Sequence, residues 1–253
     1  MSAPRVSVVT PVYNSALYLA ETLDSVLAQS MRDWEMLLVD DGSTDDSLAV
    51  AEAYASRDPR IRVLRSERNL GVARTRNRGV AESRGDYIAL LDSDDLWMPD
   101  KLEKQLALAD SSGADMVYCS YALIDEQGKR CCEDFLVPPK TDFNSMLVRS
   151  VISCSTVLIR ADCMKAHPFQ LNCKHEDLVL WLELLRDGCR AAGCAEVLAA
   201  YRLHRGSRSS NKFQSAYGRW RVFRDNMGMS FCRSLGCFAA YAASALRKYR
   251  RSC

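Results

Sequence analysis

Short apolar runs alternate with helix-period segments along the first hundred residues. Residues 5–10 (RVSVVT) are rich in β-branched side chains and unbroken by polar alternation, which predicts a strand buried on both faces and ended by Pro11. Ser15 is placed to cap a helix running to residue 29, with Leu19, Leu23, Val26 and Leu27 on one side. A second strand, 34–39, enters Asp40-Asp41-Gly42. Ser43-Thr44-Asp45-Asp46 then has the Ser-x-x-acid form of a capping box and opens a helix to residue 55. Residues 61–64 form a third strand, 69–83 a helix stopped at Gly85, and 87–91 a fourth strand running into Asp92-Ser93-Asp94-Asp95. Strand and helix in strict alternation, with short connections, predict a parallel sheet covered by helices.

The second half is more mixed. A helix is expected over 99–109, with Gly113 past its end. Residues 116–124, the turn Asp125-Glu126-Gln127-Gly128 and residues 131–137 suggest a hairpin, and 156–159 a strand. An apolar helix over 176–186, with Trp181 on its core face, closes at Gly188, and 197–201 is a last strand. There is no internal repeat, low-complexity tract or linker. The expectation is therefore one compact α/β domain over residues 1–212 with a helical appendage over 213–253.

Composition narrows the class. At 48% hydrophobic and 26% charged over 253 residues, the chain has the balance of a soluble globular protein. Its longest uncharged run near the C-terminus, 234–246, is well short of the roughly 20 residues of a spanning helix. No signal-peptide pattern precedes the first strand, so the expected location is the cytoplasm. The net charge of +2 hides an asymmetry: residues 202–253 carry 12 Lys/Arg against one acid, Asp225, leaving −9 on the rest. A basic tail on an acidic body calls for an anionic partner. All 11 cysteines fall after residue 118, and the odd number points to reduced thiols. Cys173, His175, Cys189 and Cys194 lack the usual spacing of a zinc site, so free thiols are the preferred reading.

The carboxylates carry the chemistry. In open α/β sheets ligands bind beyond the carboxyl ends of the strands, where Asp40, Asp41, Asp92, Asp94 and Asp95 fall. Such an oxygen-rich edge suits a hard divalent cation, Mg²⁺ or Mn²⁺, shared with substrate phosphates. Asp41, Asp45, Asp46 and Asp95 read as caps and turn formers; Asp40, Asp92 and Asp94 are positioned for function. Neither G-x-G-x-x-G nor G-x-x-x-x-G-K-[ST] occurs, which disfavours dinucleotide oxidoreductases and P-loop enzymes.

Val6-Ser7-Val8-Val9-Thr10-Pro11-Val12-Tyr13-Asn14, Asp40-Asp41-Gly42-Ser43-Thr44-Asp45, Asn69-x-Gly71-x-x-x-x-Arg76-Asn77-x-Gly79 and Gly85-Asp86-Tyr87-Ile88-x-x-Leu91-Asp92-Ser93-Asp94-Asp95 resemble the successive motifs of the family 2 glycosyltransferases. The resemblance continues through Glu176-Asp177 and Tyr201-Arg202-x-His204-x-x-Ser207-x-Ser209, covering roughly residues 4–212. Among subfamilies it is similar to the bacterial teichuronic acid, O-antigen and capsule transferases. It implies the GT-A fold, with a nucleotide-sugar half over about 1–100 and an acceptor half over about 101–212.

The resemblance also implies roles. Thr10, Pro11 and Tyr13 would line the base pocket, and Asp40 would accept from the uracil N3–H, favouring UDP. Asp92 would lie at the ribose or sugar, Arg76 near the nucleotide, and His204 near the diphosphate. Asp94 would hold Mn²⁺ or Mg²⁺, and Asp177 would be the general base, with Glu176 its rival. The implied activity is an inverting, metal-dependent transfer of a hexose from a UDP-sugar to a saccharide hydroxyl, with the acceptor carried on undecaprenyl diphosphate. A non-catalytic nucleotide-sugar binding protein and a sugar nucleotidyltransferase are the alternatives; the latter should carry a Gly-rich loop with Arg and Lys, which residues 11–18 lack.

Trp97, just after the acidic cluster, is a candidate stacking platform for the sugar or acceptor, with core packing the alternative. His167 and His175 are given no role. In the tail, Phe231, Leu235, Phe238, Tyr241, Ala242 and Leu246 form an apolar stripe between the basic stretches 219–224 and 247–251. That pattern suits a helix lying on an anionic membrane, placing the chain peripherally on the inner face of the plasma membrane; the alternative is a helix packed on its own domain or on a second subunit. Nothing on the body resembles a base-reading module, so no nucleic acid partner is expected.

Overall fold

The computed structural model describes residues 3–204 and 212–249. In its first half, β1 (Val6–Val12) is flanked on one side by β2 (Trp34–Asp40), beyond which lies β3 (Ile61–Arg65), and on the other by β4 (Tyr87–Leu90), all parallel. The crossovers are α1 (Ala16–Leu27), α2 (Ser47–Ala55) and α3 (Val72–Glu82). The strands are apolar throughout because both faces are covered. Val9, Leu37, Ile88 and Leu90 face one core; the alternate residues Val8, Met36, Leu38 and Ala89 face another, packed by Leu19, Leu23 and Val26 of α1.

The helices begin differently from expectation. Neither Ser15 nor Asp46 caps its own helix. The two loops lace each other instead: Asp45 Oδ2 accepts from the Ala16 N–H (3.1 Å), Asn14 Oδ1 from the Thr44 N–H (2.8 Å), and Ser47 Oγ from the Ser15 N–H (2.7 Å). Asp45 Oδ1 also accepts from the Ser47 hydroxyl and N–H, so Asp45, rather than the Asp46 of the expected capping box, serves both helices.

Beyond β4 the sheet changes character. Its order is β3-β2-β1-β4-β7-β6-β8-β5. Here β5 is Leu96–Trp97, β6 Met116–Ile124, β7 Leu158–Arg160 and β8 Ala191–Arg202. β7 is antiparallel to both β4 and β6, β6 and β8 are parallel, and β5 pairs antiparallel at the edge. The expected hairpin after β6 turns at Gly128 (φ +77°) but returns only as isolated bridges, Ile124 to Arg130 and Tyr121 to Phe135. β8 starts six residues earlier than its apolar centre indicates, and irregular register opposite Cys119, Ser120 and Tyr121 lets it stay paired.

Helix α4 (Lys101–Ser112) ends at left-handed Gly113, and α5 (Phe143–Val148), α6 (Ala161–Ala166) and α7 (Glu176–Arg186) complete the body. The C-terminal segment forms α8 (Lys212–Arg221), a π-helical turn (Val222–Asn226) and α9 (Phe231–Tyr249). Val222, Phe223 and Met229 enter the same core as Leu178 and Trp181 of α7. The described cysteines are all free thiols. Among the described residues, no helix is long and apolar enough to cross a membrane.

Candidate active site

A cleft of about 560 Å³ opens beyond the carboxyl ends of β1, β2 and β4, where the crossovers leave β1 in opposite directions. β1 supplies Pro11, Val12 and Tyr13; the loop after β2 supplies Asp41. Asn69, Gly71, Val72, Thr75 and Arg76 come from the start of α3, Asp92, Ser93 and Asp94 from the loop after β4, and Tyr201 and His204 from the end of β8. Of the residues singled out by sequence, Pro11, Tyr13, Arg76, Asp92, Asp94 and His204 are thus brought together.

Thr10 and Asp40 are not on its wall. Thr10 is fully buried in the sheet, and Asp40, 2% exposed, accepts the N–H groups of Gly42 (3.2 Å) and Ser43 (3.4 Å). The neighbouring Asp41, read from sequence as a turn former, lines the cleft. Its two oxygens accept from the Leu70 N–H (2.8 Å) and the Gly71 N–H (2.9 Å), fastening the loop before α3. Gly71 sits at φ +91°, a conformation open to glycine, and this lets the chain turn into α3 at the cleft. Close approach explains Gly42 as well: a Cβ there would lie 2.7 Å from the Arg68 carbonyl carbon.

The charges form one chain. Arg76 is 4% exposed; Nη2 donates to Asp92 Oδ1 (2.5 Å) and Nη1 to Glu176 Oε1 (3.1 Å). Its guanidinium lies 5.3 Å from the centre of the Phe169 ring, and its Nε is buried without a partner. Asp94 Oδ2 is 2.8 Å from His204 Nε2. Burial, followed by the negative charge of Asp92, pushes the Asp94 carboxyl above the usual range, and the His204 contact opposes this. Asp177, at the start of α7, is likewise pushed up, by burial first and by Glu176 second, while Arg76 pulls the other way. Asp177 is not on the cleft wall. Glu176 lines a smaller hollow of about 210 Å³ that shares Gly71 and Val72 with the cleft.

Behind the acidic loop lies a support that sequence reading missed. Asp95, 1% exposed, accepts from Ser155 Oγ (2.5 Å) and from the Arg202 N–H (2.9 Å), while Ser155 Oγ also accepts from the Asp92 N–H (3.1 Å). Arg202, also 1% exposed, donates to the Asp94 carbonyl (2.8 Å) and to Glu21 Oε2 (2.6 Å), and stacks on Tyr18, the ring against which His204 tilts. The available signal was the Tyr201-Arg202-x-His204 motif, which pointed at His204 alone. Of the two readings of Trp97 the core one holds and the stacking platform does not: it is 3% exposed, donates through Nε1 to the Ser155 carbonyl (2.7 Å) and carries the Lys101 ammonium on its ring, beneath the loop. Ser207 and Ser209 lie outside the described residues.

A cation site can be tested against these groups. Among the described residues no three His, Cys, Asp or Glu side chains converge on one point. Asp94, backed by Asp92 and His204, nevertheless offers what Mg²⁺ or Mn²⁺ takes when substrate phosphates complete its shell: one or two carboxylates at an open edge.

Residues 7–145 match the family model for glycosyl transferase family 2. TuaG of Bacillus subtilis (strain 168), a glycosyltransferase assigned to teichuronic acid biosynthesis, is 38% identical over 245 residues, covering 97% of this chain and 97% of its own. WfgD of Escherichia coli, a UDP-Glc:alpha-D-GlcNAc-diphosphoundecaprenol beta-1,3-glucosyltransferase, is 34% identical over 222 residues, 87% of this chain and 85% of its own. Among solved structures, S. aureus TarS 1–349 in complex with UDP-GlcNAc superposes with a TM-score of 0.74 over 94% of this chain and 71% of that one, at 21% identity. That likeness shows the fold, the GT-A fold expected from the motifs. With the family model spanning more than half its length and two relatives matching nearly end to end, the chain belongs to glycosyl transferase family 2.

Proposed function

We propose that this protein moves a hexose from a UDP-sugar to a hydroxyl of a lipid-diphosphate-linked saccharide in bacterial surface polysaccharide synthesis, with inversion at the anomeric carbon. The observation that carries the reading is the single cleft in which Asp41, Arg76, Asp92, Asp94 and His204 meet at the carboxyl edge of the parallel strands. The donor class is drawn from TarS, whose complex holds UDP-GlcNAc, and the acceptor class from WfgD, which acts on a diphosphoundecaprenol-linked sugar.

In this reading Pro11 and Tyr13 form the wall for the base. Asp41, rather than Asp40, accepts from the uracil N3–H, since it reaches the cleft with lone pairs left over after holding Leu70 and Gly71. Asp92, steered by Arg76, binds the sugar side of the donor. Asp94 and His204 would hold the divalent cation. When bound, that cation supplies Lewis-acid stabilisation of the departing diphosphate. Asp177 takes the proton from the attacking hydroxyl, and its raised affinity for protons makes it a stronger base than a free carboxylate. Glu176, bonded to Arg76, is committed to holding the start of α7. The acceptor hydroxyl attacks the anomeric carbon as the bond to the diphosphate oxygen breaks, so no covalent intermediate on the protein is needed.

Calorimetric titration with UDP-, GDP-, CDP- and dTDP-sugars, in Mn²⁺ and then in EDTA, tests the donor half. Selective, cation-dependent binding of a UDP-sugar is expected, and Asp94→Ala should abolish its cation dependence. Asp177→Asn should keep donor binding and lower transfer by about 10² to 10⁴. Transfer surviving that change would sink the assignment of the base.

A further inference from the structure

The apolar stripe of α9 is divided by the way the helix sits on the body. Phe238 meets Trp220 edge-on at 5.9 Å, and Tyr241 lies under the Arg219 guanidinium at 4.0 Å. Arg219, 5% exposed, reaches across to the end of α5, donating to the carbonyls of Met146 (2.9 Å) and Leu147 (3.0 Å) and to Ser150 Oγ (3.0 Å). Burial pushes its pKa down to about 10. One residue earlier, Gly218 lies so close to the His175 ring that a Cβ would be 2.7 Å from Cδ2. The tail is therefore seated against the residue that precedes Glu176 and Asp177.

The other part of the stripe is left outside. Phe231 is 59% exposed, Leu235 on the next turn 51%, and Tyr217 of α8 67%. Trp220 joins them, its ring 5.7 Å from that of Phe231. On the same segments Arg221, Arg224 and Arg233 are exposed, Arg224 also donating to the Met229 carbonyl and Arg233 to Asn144 Oδ1 (3.1 Å), and the single acid of the region, Asp225, is paired with Arg221 at 2.7 Å.

We propose that this ridge is a docking surface for an anionic lipid bilayer, with Phe231 and Leu235 entering the headgroup layer and the arginines meeting the lipid phosphates. Aromatic and aliphatic side chains flanked by cations match a surface that is apolar below and negative above. A nucleic acid has no use for Leu235. A second copy of the same face would set like charges together, given 12 basic residues against one acid from position 202 onward. The proposal rests on the glycosyltransferase reading only for its purpose, bringing the Asp177 end of α7 to an acceptor held in the membrane; binding itself is measured independently.

The test is co-sedimentation of the full chain with vesicles of phosphatidylcholine alone and with vesicles containing phosphatidylglycerol. Binding should require the anionic lipid, weaken with salt, and fall about tenfold or more in Phe231→Ser/Leu235→Ser. UDP-sugar titration of the variant should match the parent, which shows that it folds. Equal binding to both vesicle types, or no loss in the variant, overturns the proposal. Retention on single-stranded DNA-cellulose unaffected by the two serines overturns it in favour of nucleic acid. A dimer in size-exclusion chromatography, dissociated by the same substitutions, overturns it in favour of a second copy. If vesicles bind as expected while no UDP-sugar binds the parent, the surface stands and the functional reading falls.

Discussion

Asp177 and Glu176 are adjacent carboxylates that one cation meets differently. Arg76 pairs with Glu176, and the charge of Glu176 in turn helps to keep a proton on Asp177. If Asp177 is the base, as proposed, it must be unprotonated, so transfer should fail as pH drops through its raised pKa. Glu176→Gln removes the nearby negative charge and frees the field of Arg76, both of which lower that pKa. The acid limb of kcat, measured at saturating donor and acceptor with Mn²⁺, should therefore move to lower pH; an unmoved limb would mean that another group titrates. Arg76→Met is a different case. It strands Asp92 and Glu176 without their shared counterion, and urea denaturation should show a loss of about 3–5 kcal/mol. At this scale the sequence displayed most of the carboxylates at the cleft, because they stand in short motifs. It did not separate Asp40 from Asp41, since which of two adjacent acids reaches the cleft depends on the loop after β2. Nor did it display Ser155 and Arg202, whose partners are 60 and more residues away.

At the scale of elements, α3 matters most, because it brings Arg76 to the cleft and lies directly on β1 and β2. Its contact point is Gly79, where a Cβ would fall 2.4 Å from Val9 Cγ1 and 3.1 Å from Val39 Cγ2. Gly79→Ala should overpack this interface and cost about 1–3 kcal/mol, read as a lowered Tm, with the donor affinity weakened as α3 shifts. The strands and crossovers of the first half were legible because burial on both faces leaves continuous apolar runs, and because each helix repeats its apolar side. Helix starts were not, since Asn14, Asp45 and Ser47 serve the neighbouring loop as well as their own. β5, two residues long, and the reversal at β7 leave no periodic trace; both are set by the partners they meet in the sheet.

Over the whole molecule, the near-neutral charge conceals an acidic body and a basic end. At neutral pH and low ionic strength the protein should be retained by both anion and cation exchangers, since retention follows local fields rather than the net value. Replacing Arg221, Arg224 and Arg233 with Gln should release it early from the cation exchanger and leave its anion-exchange elution unchanged. Uniform weakening on both would show that the charges are not segregated. This asymmetry could be counted from the residues alone. The seating of Arg219 on the carbonyls of α5, which decides what part of the tail stays outside, could not.

The ion pair between Arg76 and Glu176 also bears on how the polypeptide could be divided. Arg76 belongs to the first hundred residues, Glu176 to the stretch after them, and Ser155 from the latter props Asp92 and Asp95 of the former. Severed in the loop before α5 and expressed as two fragments, the N-terminal piece would lose Glu176, leaving Arg76 with Asp92, and the other would bury Glu176 without Arg76. Neither piece should survive alone in a native form, while the two made together should reassemble in equal amounts, and nucleotide binding should reappear only with that reassembly.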